Sequence, residues 1–190
     1  MKENKMKKTP KELSASSSMN KMRQIKVEKI VLNIGTNGDP EKMKKAASLL
    51  KNISNKKVVE THSKKRLAAW KIRIGLPIGV KVTLRGKEAE ALLKRLLVAV
   101  ENKVRPTSFT KNGFSFGVPE YIDIPDVRYD PKIGIIGLEA SVSLIRAGYR
   151  VGKRRLFKSK VSKNHIITKE EAAKFAQEKF DIKLEERRIL

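Results

Sequence analysis

The chain has 190 residues, 39% of them hydrophobic, and carries 44 Lys and Arg against 20 Asp and Glu, a formal net charge of +24. That is enough apolar sequence for a folded core, which excludes a disordered chain, and a field that calls for a polyanionic partner. No apolar run approaches the ~20 residues of a membrane span and no basic amphipathic helix stands out, so nucleic acid is favoured over membrane, and the lack of Cys excludes disulfide, thiolate and zinc-finger chemistry.

Residues 1–22 are Lys- and Ser-rich with no apolar period, and read as a flexible basic arm, either a solubilising tail or an RNA-tracking extension. The arm lacks the apolar segment of a signal peptide, which makes the cytoplasm the expected location. Residues 23–190 are expected to form one domain. Ile25–Ile34 reads as a strand, with Ile30, Leu32 and Ile34 on one face and Val31 and Asn33 on the other. Gly35–Gly38 then forms a turn, with Asp39 as N-cap and Pro40 at the first position of a helix reaching about Ile53. Strand, Gly-rich turn and helix together suggest a phosphate loop, but the spacing fits neither the dinucleotide fingerprint nor the P-loop.

Lys56–Arg85 holds nine Lys or Arg residues and one acid, Glu60. It begins with a short strand at Val58–Val59 and ends in the sharpest period-two pattern of the chain. Val80, Val82 and Leu84 point one way; Lys81, Thr83 and Arg85 point the other, an apolar face backed by one suited to phosphate. Between them a long basic loop, roughly Ser63–Gly79, carries Lys64, Lys65, Arg66, Lys71 and Arg73 and the single Trp. Trp70 is expected to anchor the base of that loop, with stacking on a nucleobase as the alternative.

Residues 87–105 carry the best helical stripe, Ala89, Leu92, Leu93, Leu96, Leu97, Val100 and Val104, stopped by Pro106. Phe114, Phe116 and Val118 alternate in a strand and are expected to face the core. Glu120, Asp123, Asp126 and Asp130 follow in the one clearly acidic stretch, read as a solvated loop turned away from the polyanion. A long strand is expected at Ile135–Ile145. Next comes 146–163, with eight basic residues and no acid, including Arg150, Lys153, Arg154 and Arg155; its density favours RNA contact. Thr168–Glu171 is a capping box opening a helix to Phe180, and Ile182 and Leu184 add a last short strand.

The element order describes an α+β fold, an antiparallel sheet of about five strands with helices packed on one face and a long basic loop. No cofactor is implied. His62 and His165 are far apart in sequence, and the acids at 120–130 have no nucleophile or metal set beside them, so an enzyme is not expected. A regulatory module binding another RNA or DNA is the competing class, since charge alone allows it.

Four stretches carry a resemblance: Val27–Gly35 (VEKIVLNIG), Gly75–Arg85 (GLPIGVKVTLR), Asn112–Val118 (NGFSFGV) and Tyr129–Arg155 (YDPKIGIIGLEASVSLIRAGYRVGKRR). Together they resemble the large-subunit ribosomal protein L5 family in its archaeal and eukaryotic form, over about residues 23–185. The resemblance implies a structural protein that binds 5S rRNA, anchors it in the central protuberance of the large subunit beside large-subunit rRNA and neighbouring proteins, and reaches P-site tRNA and the small-subunit head. The family's RNA-contacting positions fall on Asn33, Thr61, Thr83 and Arg85, with Asn55 where the family usually has an amide; its tRNA-reaching loop corresponds to about Ser63–Gly79. The resemblance assigns no role to His62 or Ala68–Trp70, whose roles stay open.

Overall fold

The computed structural model describes residues 20–185. Residues 1–19 of the expected arm lie outside the described residues. Asn20 caps a single 3-10 turn at Lys21–Arg23 by accepting from the Met22 backbone N–H.

β1 (Ile25–Gly35) runs into a turn in which Asn37 and Gly38 take left-handed backbone angles. Asp39 then caps α1 (Pro40–Ser54), its carboxylate accepting from the Glu41 and Lys42 N–H groups. A Cβ at Gly38 would come within 2.9 Å of the Leu76 side chain, so this glycine turn is occupied by packing rather than open to a phosphate. β2 (Val59–His62) and β3 (Pro77–Arg85) flank the basic loop, and α2 (Lys87–Ala99) follows β3. β4 (Lys103–Val104), β5 (Phe109–Thr110) and β6 (Gly113–Val118) lead to the acidic loop, which Tyr121 and Ile124 pin to the core while Glu120, Asp123 and Asp126 stay outside it. β7 (Leu138–Arg146), the one-turn α3 (Arg150–Lys153), α4 (Lys169–Phe180) and β8 (Lys183–Leu184) complete the described chain.

Six strands form one antiparallel sheet in the order β2-β3-β1-β7-β6-β5, and β4 and β8 pair in parallel apart from it. Period-two alternation sends Ile30, Leu32, Ile34, Val80, Val82, Leu84, Phe114, Phe116, Ala140, Val142 and Leu144 into the core. The apolar sides of α1, α2 and α4, including Leu49, Leu50, Leu92, Leu96 and Ala176, cover that face. Among the described residues, the opposite face of the sheet carries no long helix. The fold is the expected α+β arrangement, with a sixth strand supplied by the two-residue β5.

Several boundaries differ from the sequence reading; β2 runs Val59–His62 rather than Val58–Val59, and β8 begins at Lys183 rather than Ile182. The second long helix ends at Ala99, not 105: Glu101 and Asn102 turn left-handed, Asn102 N–H closes on the Leu97 carbonyl at 2.8 Å, and Val104 is buried as a strand residue beside β8. β7 begins at Leu138 rather than Ile135: Gly134 takes a left-handed backbone just before Ile135, which stays exposed, and a Cβ at Gly137 would lie 2.7 Å from the Pro119 carbonyl oxygen. Residues 77–79 belong to β3, so the basic loop ends at Leu76.

Candidate nucleic-acid interface

The strand registers set the uncovered sheet face out in rows. One row runs Arg85–Lys29–Ser143–Gly113 across β3, β1, β7 and β6. The next runs Thr83–Val31–Ser141–Ser115. The third runs Val59–Lys81–Asn33–Glu139–Gly117, and the fourth Thr61–Gly79–Gly35. Five of the predicted contact residues, Asn33, Thr61, Lys81, Thr83 and Arg85, therefore lie on one surface although they come from three strands. Lys81, Thr83 and Arg85 are exposed, and Asn33 is half-buried, donating from Nδ2 to Glu139 Oε2 at 3.3 Å. Gly79 is required here: a Cβ would lie 2.7 Å from the Ile34 carbonyl oxygen and 3.1 Å from Thr61 Oγ1. The small residues let a ligand approach the backbone, and Lys81, Lys29 and Arg85 place cations among them.

Asn55 is not on this face. It is the C-cap of α1, left-handed at φ 50°, with its N–H on the Lys51 carbonyl, and it is exposed beside Lys56 and Lys57. The amide is placed by helix termination, a position where Asn is favoured for its tolerance of that backbone.

The basic loop is an ordered finger. Gly75 N–H donates to the Ser63 carbonyl and Ser63 N–H to the Leu76 carbonyl, both at 2.9 Å, closing its base. Leu67 and Ile72 exchange two backbone hydrogen bonds of 3.0 Å, and Ala68–Trp70 makes a 3-10 turn at the tip. Lys64, Lys65, Arg66, Lys71 and Arg73 all project into solvent. Trp70 does not anchor the base of the loop: it sits at the tip and is 65% exposed, while Ile72 fills the buried position. The two-fold backbone exchange between Leu67 and Ile72 closes the finger below Ala68–Trp70, and the indole stays exposed beyond it. His62 is exposed where the finger leaves β2.

The third basic cluster lies at the Arg85–Lys29 end. A shallow concavity there is lined by Lys29, Ser141, Ser143, Tyr149 and Lys153, which joins α3 to the open face. Lys153 grips both carboxylate oxygens of Glu28, so part of its charge is neutralised within the fold. Arg150, Arg154 and Arg155 are exposed and have no ion pair among the described residues. Arg146, first of the eight basic residues in that run, is structural: its buried guanidinium donates to the Arg23 and His165 carbonyls and to Glu171 Oε1 at 2.8 Å. The Thr168 backbone N–H and then Arg146 hold the Glu171 carboxyl below its ordinary value. Behind it the Tyr149 hydroxyl accepts from Ile167 N–H at 3.0 Å and lies 2.9 Å from Asn112 Oδ1.

The polar sheet face thus has a cationic segment at its Arg85–Lys29 end, and a cationic finger leaves the sheet at the opposite, Thr61–Gly79 end. Among the described residues, no group of three or more His, Asp or Glu is placed to hold a metal ion.

Two family comparisons match adjoining parts of the chain. The family described as "Ribosomal protein L5" matches residues 20–73, and the C-terminal part of that ribosomal family matches residues 77–181. The chain belongs to the ribosomal protein L5 family. Its relatives include proteins named large ribosomal subunit protein uL5. That of Nanoarchaeum equitans is 52% identical over 164 residues, covering 86% of this chain and 97% of the relative. That of Sulfurisphaera tokodaii is 40% identical over 176 residues, 92% and 99%. That of Methanococcoides burtonii is 42% identical over 167 residues, 87% and 99%. The L5 family is a structural ribosomal one and not an enzyme family. The two matched segments meet at residues 73–77, within the finger and at the start of β3, so both contribute strands to one sheet.

Lys29, Ser115, Ser141 and Ser143 are on the open face but were not singled out from sequence. The alternation in β6 and β7 separates these serines from the core positions. Nothing in it shows that they stand beside Thr83 and Arg85, because that depends on strand order.

Proposed function

We propose that this chain is a structural constituent of the large ribosomal subunit in the cytoplasm, that it binds 5S rRNA on the open sheet face, and that it seats that RNA in the central protuberance. The observation that carries the reading is the convergence of Asn33, Thr61, Lys81, Thr83 and Arg85 on one uncovered face of an L5-family fold. Lys81, Arg85, Arg150, Arg154 and Arg155 supply affinity by releasing counterions, which reads no sequence. Asn33, Thr61, Thr83 and the fork of Arg85 fit the exposed edges and shape of a folded RNA loop, which does. Asn55 adds a contact from the end of α1, and Lys153 supports the cluster through Glu28.

The finger, through Lys64, Lys65, Arg66, Lys71 and Arg73, reaches P-site tRNA and the small-subunit head in the assembled ribosome. Its closed base and its exposed cationic tip support that reading. Large-subunit rRNA and neighbouring central-protuberance proteins are the remaining partners.

The test is competition binding of the full chain to 5S rRNA against tRNA and duplex DNA at two salt concentrations. Preference for 5S rRNA that persists at the higher salt is expected. Equal binding to all three that collapses with salt would leave a generic polyanion binder and overturn the reading.

A further inference from the structure

The segment between α3 and α4 holds a feature that the open face does not explain. From Ala147 to Lys169 there is no acid, and the chain makes a closed excursion out of α3. Arg154 N–H bonds to the Arg150 carbonyl at 2.8 Å, and Ser159 N–H returns to the Val151 carbonyl at 3.2 Å. Arg154 Nε then donates across the turn to the Phe157 carbonyl at 2.7 Å. At the apex Phe157 is 88% exposed and Leu156 70% exposed, between Arg154, Arg155, Lys158 and Lys160.

Phe157 has a left-handed backbone, φ 50°. Bulky side chains seldom adopt that conformation, and when they do the position is worth a functional question. The folded chain gains nothing visible from it. Among the described residues the ring stacks on no other aromatic group. The hydrogen bond from Arg154 instead holds the turn that presents the ring.

We propose that the 154–158 apex is a base-stacking site for unpaired RNA, with Phe157 as the stacking ring and Leu156 as the apolar flank. Lys158, Lys160 and Arg155 take the adjoining phosphates. An aromatic face ringed by cations suits a nucleotide, which offers a π-face and a negative charge within one residue. The left-handed backbone at Phe157 is a pre-set geometry, so the ring is aimed before RNA arrives. This site deepens the rRNA-binding reading and rests on it for its ligand class.

The experiment uses the full chain with two probes, 5S rRNA and protein-free large-subunit rRNA, in filter binding across a salt series. A dimethyl sulfate footprint on each RNA reports base protection. F157A is expected to weaken binding to one of the two RNAs about ten-fold or more and to remove protection at an unpaired base there. F157Y is expected to restore both, F157L neither, and the salt slope is expected to stay unchanged because no phosphate contact is lost. F157A within two-fold of the unmutated chain on both RNAs, or full rescue by Leu, overturns the stacking site. If F157A spares RNA binding but lowers incorporation into large subunits, the ring docks on protein and the proposal also fails. Wild-type preference for 5S rRNA over duplex DNA is scored separately: its absence sinks the functional reading, whereas the Phe157 series on large-subunit rRNA still decides the stack.

Discussion

Lys29 of β1 and Arg85 of β3 stand directly opposite each other in the antiparallel ladder, on the open side of the sheet. Like charges so placed disfavour the fold. No carboxylate pairs with either among the described residues, although Glu28 beside them is taken by Lys153. The arrangement makes sense when a polyanion lies over both. Arg85→Ala should therefore leave the melting temperature unchanged or slightly higher, while weakening 5S rRNA binding about ten-fold, the scale of a charge-assisted contact. Arg85→Lys should recover little, because a point charge cannot replace a planar fork. Wild-type affinity in the Lys variant would show that Arg85 acts by charge alone.

Asn33 sits between Lys81 and Glu139 in its row and is hydrogen-bonded to Glu139. Asn33→Ala removes an amide and leaves an undirected carboxylate on the RNA face. A several-fold loss of 5S rRNA affinity is expected with no change in the slope of log Kd against log salt, since no cation is lost. A loss that vanishes at high salt would mean the residue acts only through Glu139's charge.

Much of this was legible in the sequence because one period carries it. Alternation in β3 separated Val80, Val82 and Leu84 from Lys81, Thr83 and Arg85, and the capping box at Thr168–Glu171 is fully formed. What failed was what periodicity cannot encode. Val104 continues the stripe of α2 by spacing, yet is buried in a strand beside β8, a partner some eighty residues later in the chain. Trp70 looked like an anchor by residue type, but the backbone bridge from Leu67 to Ile72 puts it in the turn beyond, and Ile72 is the buried side chain. Arg146 looked like its neighbours in a basic run; only the tertiary fold brings Arg23, His165 and Glu171 around it.

The finger is a separable element. Its ends are already joined by the Gly75 to Ser63 hydrogen bond, and its tip at Ala68–Trp70 lies beyond the paired strand rows of the open face. Deleting 66–74 should leave 5S rRNA affinity within two-fold and weaken tRNA contact only in assembled ribosomes. A large loss of 5S rRNA affinity for the deleted chain would place the finger inside the primary RNA site.

The Arg146–Glu171 pair sets a stability test. Glu171 caps α4 and pairs with a guanidinium that is buried while the carboxylate remains 43% exposed. Removing one partner of a fully buried pair costs roughly 3–5 kcal/mol, and solvent screening of Glu171 reduces that here. Glu171→Ala should therefore destabilise by about 2 kcal/mol, the lost cap included, as read from urea unfolding. The pH dependence has a definite sign. The folded-state pKa of Glu171 is lowered, first by the Thr168 backbone N–H and then by Arg146. Its contribution is thus complete above the ordinary carboxylate range and is lost as the pH falls through that range and the lower folded-state value. The wild type and Glu171→Ala should differ most at neutral pH and converge in acid. A gap that stays constant on acidification would show that Glu171 stabilises by packing rather than by its charge.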